Sequence, residues 1–192
     1  MNRSPLRLIF LALIVAGTPA GAQTPGIDPA LMAKATSGDA GAQVTVGEDY
    51  AAGKGVPQDL KQAADWYRKA AEAGNAAGQI HLAEMYRDGR GVERDKVQSA
   101  QWYGKAAEQG DAGAQGTLAV LYSVGQGVPQ DYAEAYYWFD LAAAVESPKQ
   151  QQYIANRQNM GAHITADELA AVQERAAKWK AAHPRPATAP EK

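Results

Sequence analysis

Apolar and small residues recur along the chain with a period of 36 residues. Tyr50, Tyr86 and Tyr122 fall in step, as do Trp66, Trp102 and Trp138, and Gly55, Gly91 and Gly127. Within each period the spacing is helical. Val46/Tyr50, Leu82/Tyr86 and Leu118/Tyr122 are four apart and share a helix face. Ala63, Trp66, Tyr67, Ala70 and Ala71 then follow the i, i+3, i+4, i+7, i+8 stripe of a second, core-facing helix. Three segments align without a gap, at 38–73, 74–109 and 110–145. Each is read as two helices of about 14 residues joined by a short turn.

The punctuation between the apolar stripes agrees. Asp39, Asn75 and Asp111 are good N-cap residues for the first helices. Gly53/Gly55, Gly89/Gly91 and Gly125/Gly127 stop those helices, because glycine accepts the left-handed conformation at a helix end. The second helices open with Asp59-x-x-Gln62, Asp95-x-x-Gln98 and Asp131-x-x-Glu134, a capping-box pattern with aspartate as the cap. Val56, Val92 and Val128 recur in the turns and are expected to plug the hairpin ends. Helical hairpins repeating at this period stack into a solenoid.

The flanks lose the period. Asp28-Pro29 starts a short helix to about Thr36 in an N-terminal cap segment, 23–37. After the third unit, Ser147-Pro148 is read as an N-cap with proline at the first helical position, leading a helix to about Met160. Thr165 and Glu168 form a capping box before a last helix. One period beyond Tyr122 and Trp138 stand Gln158 and Glu174, so 146–182 is expected to be a terminal cap of two helices rather than a fourth repeat. The tail 183–192 is Pro-rich and expected to be disordered.

The pattern G-D-A-x-A-Q…L-G-x-x-Y-x-x-G-x-G-V-x-x-D…A-x-x-W-Y-x-x-A-A resembles the Sel-one-like repeat (SLR), a relative of the tetratricopeptide repeats. The resemblance covers Gly38 to Val145, just over half the chain. It implies an all-α fold, a right-handed α-solenoid of stacked αα-hairpins, used as an adaptor for protein–protein contacts. Departures from the pattern are Asp49 where Met85 and Leu121 stand, Gly116 in place of Val44 and Ile80, and Glu93 in place of Pro57 and Pro129. Asp49 predicts a frayed or exposed first unit.

Charge and targeting narrow the setting. Arg3 and Arg7 precede an apolar run from Leu8 to Gly17, and Ala20-Gly21-Ala22 fits signal-peptidase cleavage after Ala22. A run of about ten apolar residues is too short to span a bilayer, which needs roughly 20. A signal peptide at 1–22 and a periplasmic or secreted protein of bacterial type are therefore expected. The remaining 170 residues carry 17 basic and 21 acidic side chains, a balance that points away from nucleic acid and anionic membranes. With no cysteine, thiol chemistry and disulfides are excluded.

Candidate chemistry is sparse. His81, His163 and His183 have no metal-ligand spacing and are read as surface histidines. No serine lies in a nucleophile motif, and no cofactor or metal is expected. The stretch around Trp66 mixes aromatics with charge, but only the aromatics and alanines repeat. Asp65, Arg68 and Lys69 become Gln101, Gly104 and Lys105, then Tyr137, Asp140 and Leu141. The drifting positions are read as a solvent face.

In tetratricopeptide-like solenoids the first helix of each unit lines the inner groove, so the resemblance points to the outward positions Thr45/His81/Thr117 and Glu48/Glu84/Val120 as a partner groove, acidic at one end and more apolar at the other. The favoured function is a non-enzymatic scaffold, expected to be a monomer, that docks a protein or peptide partner there. The alternative is a cell-wall-associated enzyme or a binder of peptidoglycan fragments. A wide cleft with clustered perturbed carboxylates would favour that alternative.

Overall fold

The computed structural model describes residues 26–184. Among them are nine helices and no strand: α1 (Pro29–Thr36), α2 (Ala40–Ala52), α3 (Leu60–Glu72), α4 (Ala76–Asp88), α5 (Lys96–Glu108), α6 (Ala112–Val124), α7 (Tyr132–Ala143), α8 (Gln150–Gly161) and α9 (Ala166–Ala182). The three units are α2–α3, α4–α5 and α6–α7. From α1 to α8 each helix packs on the next, and α9 packs on α7, so the units stack into an all-α solenoid. No described helix is long and apolar enough to cross a membrane. The expected signal peptide at 1–22 and tail residues 185–192 lie outside the described residues.

Local chemistry sets the helix ends. Asp39, Asn75 and Asp111 accept the backbone N–H of Ala42, Gly78 and Ala114. The same helices end at Gly53, Gly89 and Gly125 with φ of 71°, 70° and 66°, where a side chain would be strained. The second helices differ from expectation. Asp59 accepts the N–H of Lys61 and Gln62, and Asp95 that of Val97 and Gln98, but the reciprocal half of the box is missing. The cap N–H groups are already used. Asp59, Asp95 and Asp131 donate theirs to the carbonyls of Tyr50, Tyr86 and Tyr122, stitching each second helix to the first. Only α9 has the complete box, between Thr165 and Glu168.

Packing follows the apolar stripes. Val46, Leu82 and Leu118 are buried on the first helices, and Ala63, Trp66, Tyr67, Ala70 and Ala71 on α3. Lys69 and Lys105 lay their ammonium groups over the Trp66 and Trp102 rings, 3.9 and 3.7 Å from the ring centres. Val92 and Val128 pack against the core from the turns, as expected, while Val56 is half-buried.

Asp49 corrects the reading of a frayed first unit. It is buried, at 7 % exposure, inside an intact α2. Its carboxylate is 3.4 Å from the Lys54 ammonium, on a lysine that the glycine turn brings back over it. A nearby cation keeps a buried carboxylate tolerable.

The start of α8 is also corrected. Ser147 does not cap it; the Ser147 carbonyl accepts the N–H of Gln150 in a turn, and the helix begins only at Gln150. The second finding at this end is mimicry. Gln43, Gln79 and Gln115 each donate their side-chain amide to a carbonyl eight residues back, at Ala35, Ala71 and Ala107. Gln150 makes a similar bond to Ala143, seven residues back. So α8 docks as a first helix would, though the sequence period has ended. Then α9 closes over α7. Arg175 pairs with Glu134 through two bonds of 2.6 and 2.8 Å, and Lys180 and Arg157 both reach Asp140 at 2.6 Å.

Candidate functional site

The expected groove residues sit on first helices, and three of them meet. Glu48 on α2 and Glu84 on α4 each approach His81, at 3.5 Å from Nε2 and Nδ1 respectively. The imidazole also stacks on the Tyr67 ring of α3, with centroids 4.7 Å apart. His81 is therefore a wedge between units, its side chain 33 % exposed, rather than the free surface histidine the sequence predicted. α2 also touches α4 directly, so these two first helices share one face of the stack.

Electrostatics follow from that wedge. The close contact with the Glu84 carboxylate, joined by the charge of Glu48, raises the His81 pKa above 6.5. The same contact holds Glu84 below the usual carboxylate range. Burial, and then the charges of Glu48 and Glu84, push the Tyr67 hydroxyl up to about 12. A carboxylate held ionised is a poor proton donor, so Glu84 is suited to charge recognition.

The other half of the groove is apolar. Val120 is 43 % exposed and Val124, one turn further on α6, is 60 % exposed. Thr45 and Thr117 are half-buried, and their hydroxyls donate to the carbonyls of Gly41 and Gly113 in their own helices. Beside Thr117 and Val120 a shallow pocket of 250 Å³ opens against α8, lined also by Phe139, Lys149, Tyr153 and Asn156. The structure thus brings Glu48, His81 and Glu84 into one cluster, with Thr117 and Val120 in a separate pocket and Thr45 in neither.

Sequence reasoning missed three features. Tyr67 was assigned to packing alone, yet its ring is the platform for His81. The clue is Gly47 in mid-helix: a Cβ there would stand 2.6 Å from the Tyr67 ring. The α8 contribution had no signal, because α8 lies outside the repeat. Finally, Asp65 and Arg68, read as a solvent face, line a cleft of 750 Å³ on the second-helix side with Lys61, Tyr86 and Arg94. Two of its three carboxylates are engaged, and the third is Glu93. Asp65 pairs with Arg68 at 2.9 Å and Lys61 at 3.4 Å, while Asp95 caps α5. No grouping of three or more metal-binding side chains occurs among the described residues.

Comparison with known proteins agrees with this geometry. The Sel1 repeat family matches at residues 40–75, 76–111 and 113–145. A Sel1 repeat protein from Oxalobacter formigenes is 37 % identical over 68 % of this chain and 96 % of its own, with a TM-score of 0.62. A protective antigen of uropathogenic Escherichia coli displaying an SLR fold is 30 % identical over 84 % of this chain, with a TM-score of 0.67. This chain spans 36 % of that antigen's length. Helicobacter pylori cysteine rich protein B, 20 % identical over 64 % of this chain and 93 % of its own at a TM-score of 0.51, shares the fold. Among curated proteins none matches.

Proposed function

The chain belongs to the Sel1 repeat family, whose solenoid is a scaffold for protein–protein interaction, and from that premise we propose that it is a non-enzymatic periplasmic or secreted scaffold that docks a protein partner in its inner groove. The observation that carries this reading is the inner face itself. Glu48, His81 and Glu84 form a charged end on α2 and α4, and Val120 and Val124 an exposed aliphatic end on α6. A surface combining charge for orientation with uncovered aliphatic side chains is what peptide recognition uses.

The alternative, a cell-wall enzyme or fragment binder, asked for a wide cleft of perturbed carboxylates. In the 750 Å³ cleft Asp65 is tied to Arg68 and Lys61 and Asp95 to backbone N–H groups, which leaves a single carboxylate, Glu93, rather than a cluster, and this favours the scaffold. The test is affinity capture from periplasmic extract followed by mass spectrometry. The native chain is expected to retain a protein that the combined His81→Ala, Glu84→Lys, Val120→Asp variant releases. Equal capture by both would move the site elsewhere, and muropeptide binding without protein capture would overturn the reading.

A further inference from the structure

We propose that the pocket between α5 and α7, beside Gly104, seats an arginine side chain of a partner protein, its guanidinium held by the Glu108 carboxylate and the Tyr122 hydroxyl. The site goes beyond the groove on the first helices and does not depend on it.

The repeat shows what belongs at this level of the stack. Arg68, Gly104 and Asp140 occupy one position in the three units. After the first unit, the Arg68 guanidinium pairs with Asp65 at 2.9 Å, in a cleft shared with Tyr86 of the next unit. After the third, Asp140 takes the guanidinium of Arg157 from α8 and the ammonium of Lys180 from α9, both at 2.6 Å. Arg157 follows Gln150 by seven residues, as Tyr122 follows Gln115. It therefore stands on α8 where Tyr122 stands on α6. Both joints hold a guanidinium paired with a carboxylate.

The middle joint supplies neither partner. Gly104 has no side chain, nothing lies within 4 Å of a Cβ built on it, and Gln101 stands in place of Asp65. A pocket of 360 Å³ opens there, with Leu118, Val128 and Trp138 as its apolar wall and Gln101, Glu108 and Tyr122 as polar groups. Glu108 is exposed and makes no ion pair among the described residues. Burial, and then the charges of Glu134 and Asp131, raise the Tyr122 pKa, so its oxygen stays a neutral acceptor. The nearby cations are engaged. Lys105 lines the pocket, but its ammonium lies over the Trp102 ring at 3.7 Å, and Arg175 is held by Glu134 through two bonds.

The chemistry selects arginine. A planar guanidinium can lie on an aromatic wall while its edge donates to a carboxylate, whereas the compact lysine ammonium holds its water too strongly to do both. At ~30 Å³ per water-sized group, the 360 Å³ pocket takes an arginine side chain and leaves its backbone at the rim. Free arginine would bring an α-carboxylate with no unengaged cation to meet it. An arginine within a polypeptide brings only neutral amides.

The probe is acetyl-Ser-Ala-Arg-Ala-Ser-amide, titrated into the ¹⁵N-labelled full chain while NMR follows the Gly104 amide and the Trp138 indole N–H. Both signals are expected to shift and saturate with a Kd of ~1 mM. The same peptide with citrulline, which keeps the shape and removes the charge, should bind at least tenfold more weakly, as should the lysine peptide and free arginine. Gly104→Arg, which fills the pocket from within, should abolish binding, and Glu108→Gln should weaken it about tenfold. Gly104→Ala should retain it. A citrulline peptide or free arginine that binds as well as the probe overturns the proposal. So does a Gly104→Arg chain that binds unchanged, or no saturation below ~10 mM with the native chain. The His81→Ala, Glu84→Lys, Val120→Asp chain should bind the probe as the native chain does; loss there would place the probe in the groove and overturn the separate site. Protein capture judges the groove by itself, so it stands or falls independently of this pocket.

Discussion

The ring of Tyr153 on α8 occupies the space that a side chain on Gly116 of α6 would fill: a Cβ there would lie 2.6 Å from Cζ of the tyrosine. The preceding units place Val44 and Ile80 at this position. The third unit gives up its side chain so that a non-repeating helix can take the place of a fourth first helix. The terminal cap is thus built on one absent side chain.

Gly116→Ala is therefore expected to destabilise the protein by about 1–2 kcal/mol, since overpacking of about 1–3 kcal/mol outweighs the ~1 kcal/mol that alanine gains in a helix. Gly104 on α5 is the control, because nothing lies within 4 Å of a Cβ built there. Gly104→Ala should raise stability by about 0.5–1 kcal/mol. Denaturant melts of the two variants moving in the same direction would refute the account.

The buried glutamine ladder is unequally satisfied. Gln79 has both ends of its amide bonded, because Gln109 donates to its Oε1 at 2.7 Å. Gln43 and Gln115 leave Oε1 buried and unpaired; the positions matching Gln109 are Ala73 and Val145. Ala73→Gln should supply the missing donor to Gln43 and stabilise by about 1 kcal/mol, and Gln109→Ala should cost about 1–2 kcal/mol. Thermal melts of both variants check this, and an Ala73→Gln chain that melts below wild type contradicts it.

The wedge at His81 predicts a pH window. The His81 pKa is raised in the fold, so its contribution is complete below 6.5 and fades as pH rises through the raised value. The Glu84 pKa is lowered, so its contribution is complete above 4.5 and fades as pH falls through the lowered value. The joint is strongest between 4.5 and 6.5. Water screens both half-exposed carboxylates, which keeps the effect below about 1 kcal/mol. Wild type should out-melt His81→Gln by more at about pH 6 than at about pH 9. An equal difference at both would show that the wedge is packing alone.

Asp140 anchors the cap through Arg157 and Lys180, both at 2.6 Å. Asp140→Asn keeps the shape and removes the charge, and is expected to cost about 1.5–3 kcal/mol, the range for bonds to charged groups. Hydrogen exchange should rise in α8 and α9 before it rises in α2 to α5. Uniform loss of protection along the chain would show that the cap and the repeats melt as one unit.

The repeat arithmetic was legible in the sequence because a solenoid buries each unit against its neighbour, so each unit needs the same aromatics, alanines and glycine turns. Gly91 illustrates this: it has φ of 70°, and a Cβ on it would strike the carbonyl of Leu60 in the previous unit. That requirement recurs at Gly127 against the carbonyl of Lys96 and so appears as a period. The short helix from Asp28 and the capping box at Thr165 were legible too, since both are local.

Only the tertiary structure decided what depends on a single, non-repeating neighbour. Asp49 looked like a defect until Lys54 was seen across the turn from it. His81 looked like a surface side chain until the Glu48 and Tyr67 of the preceding unit closed on it. The pocket at Lys149 joins α6 to a helix outside the period. Periodicity records interactions that every unit must make, whereas a site is made by side chains that differ between units and meet only when the helices are stacked.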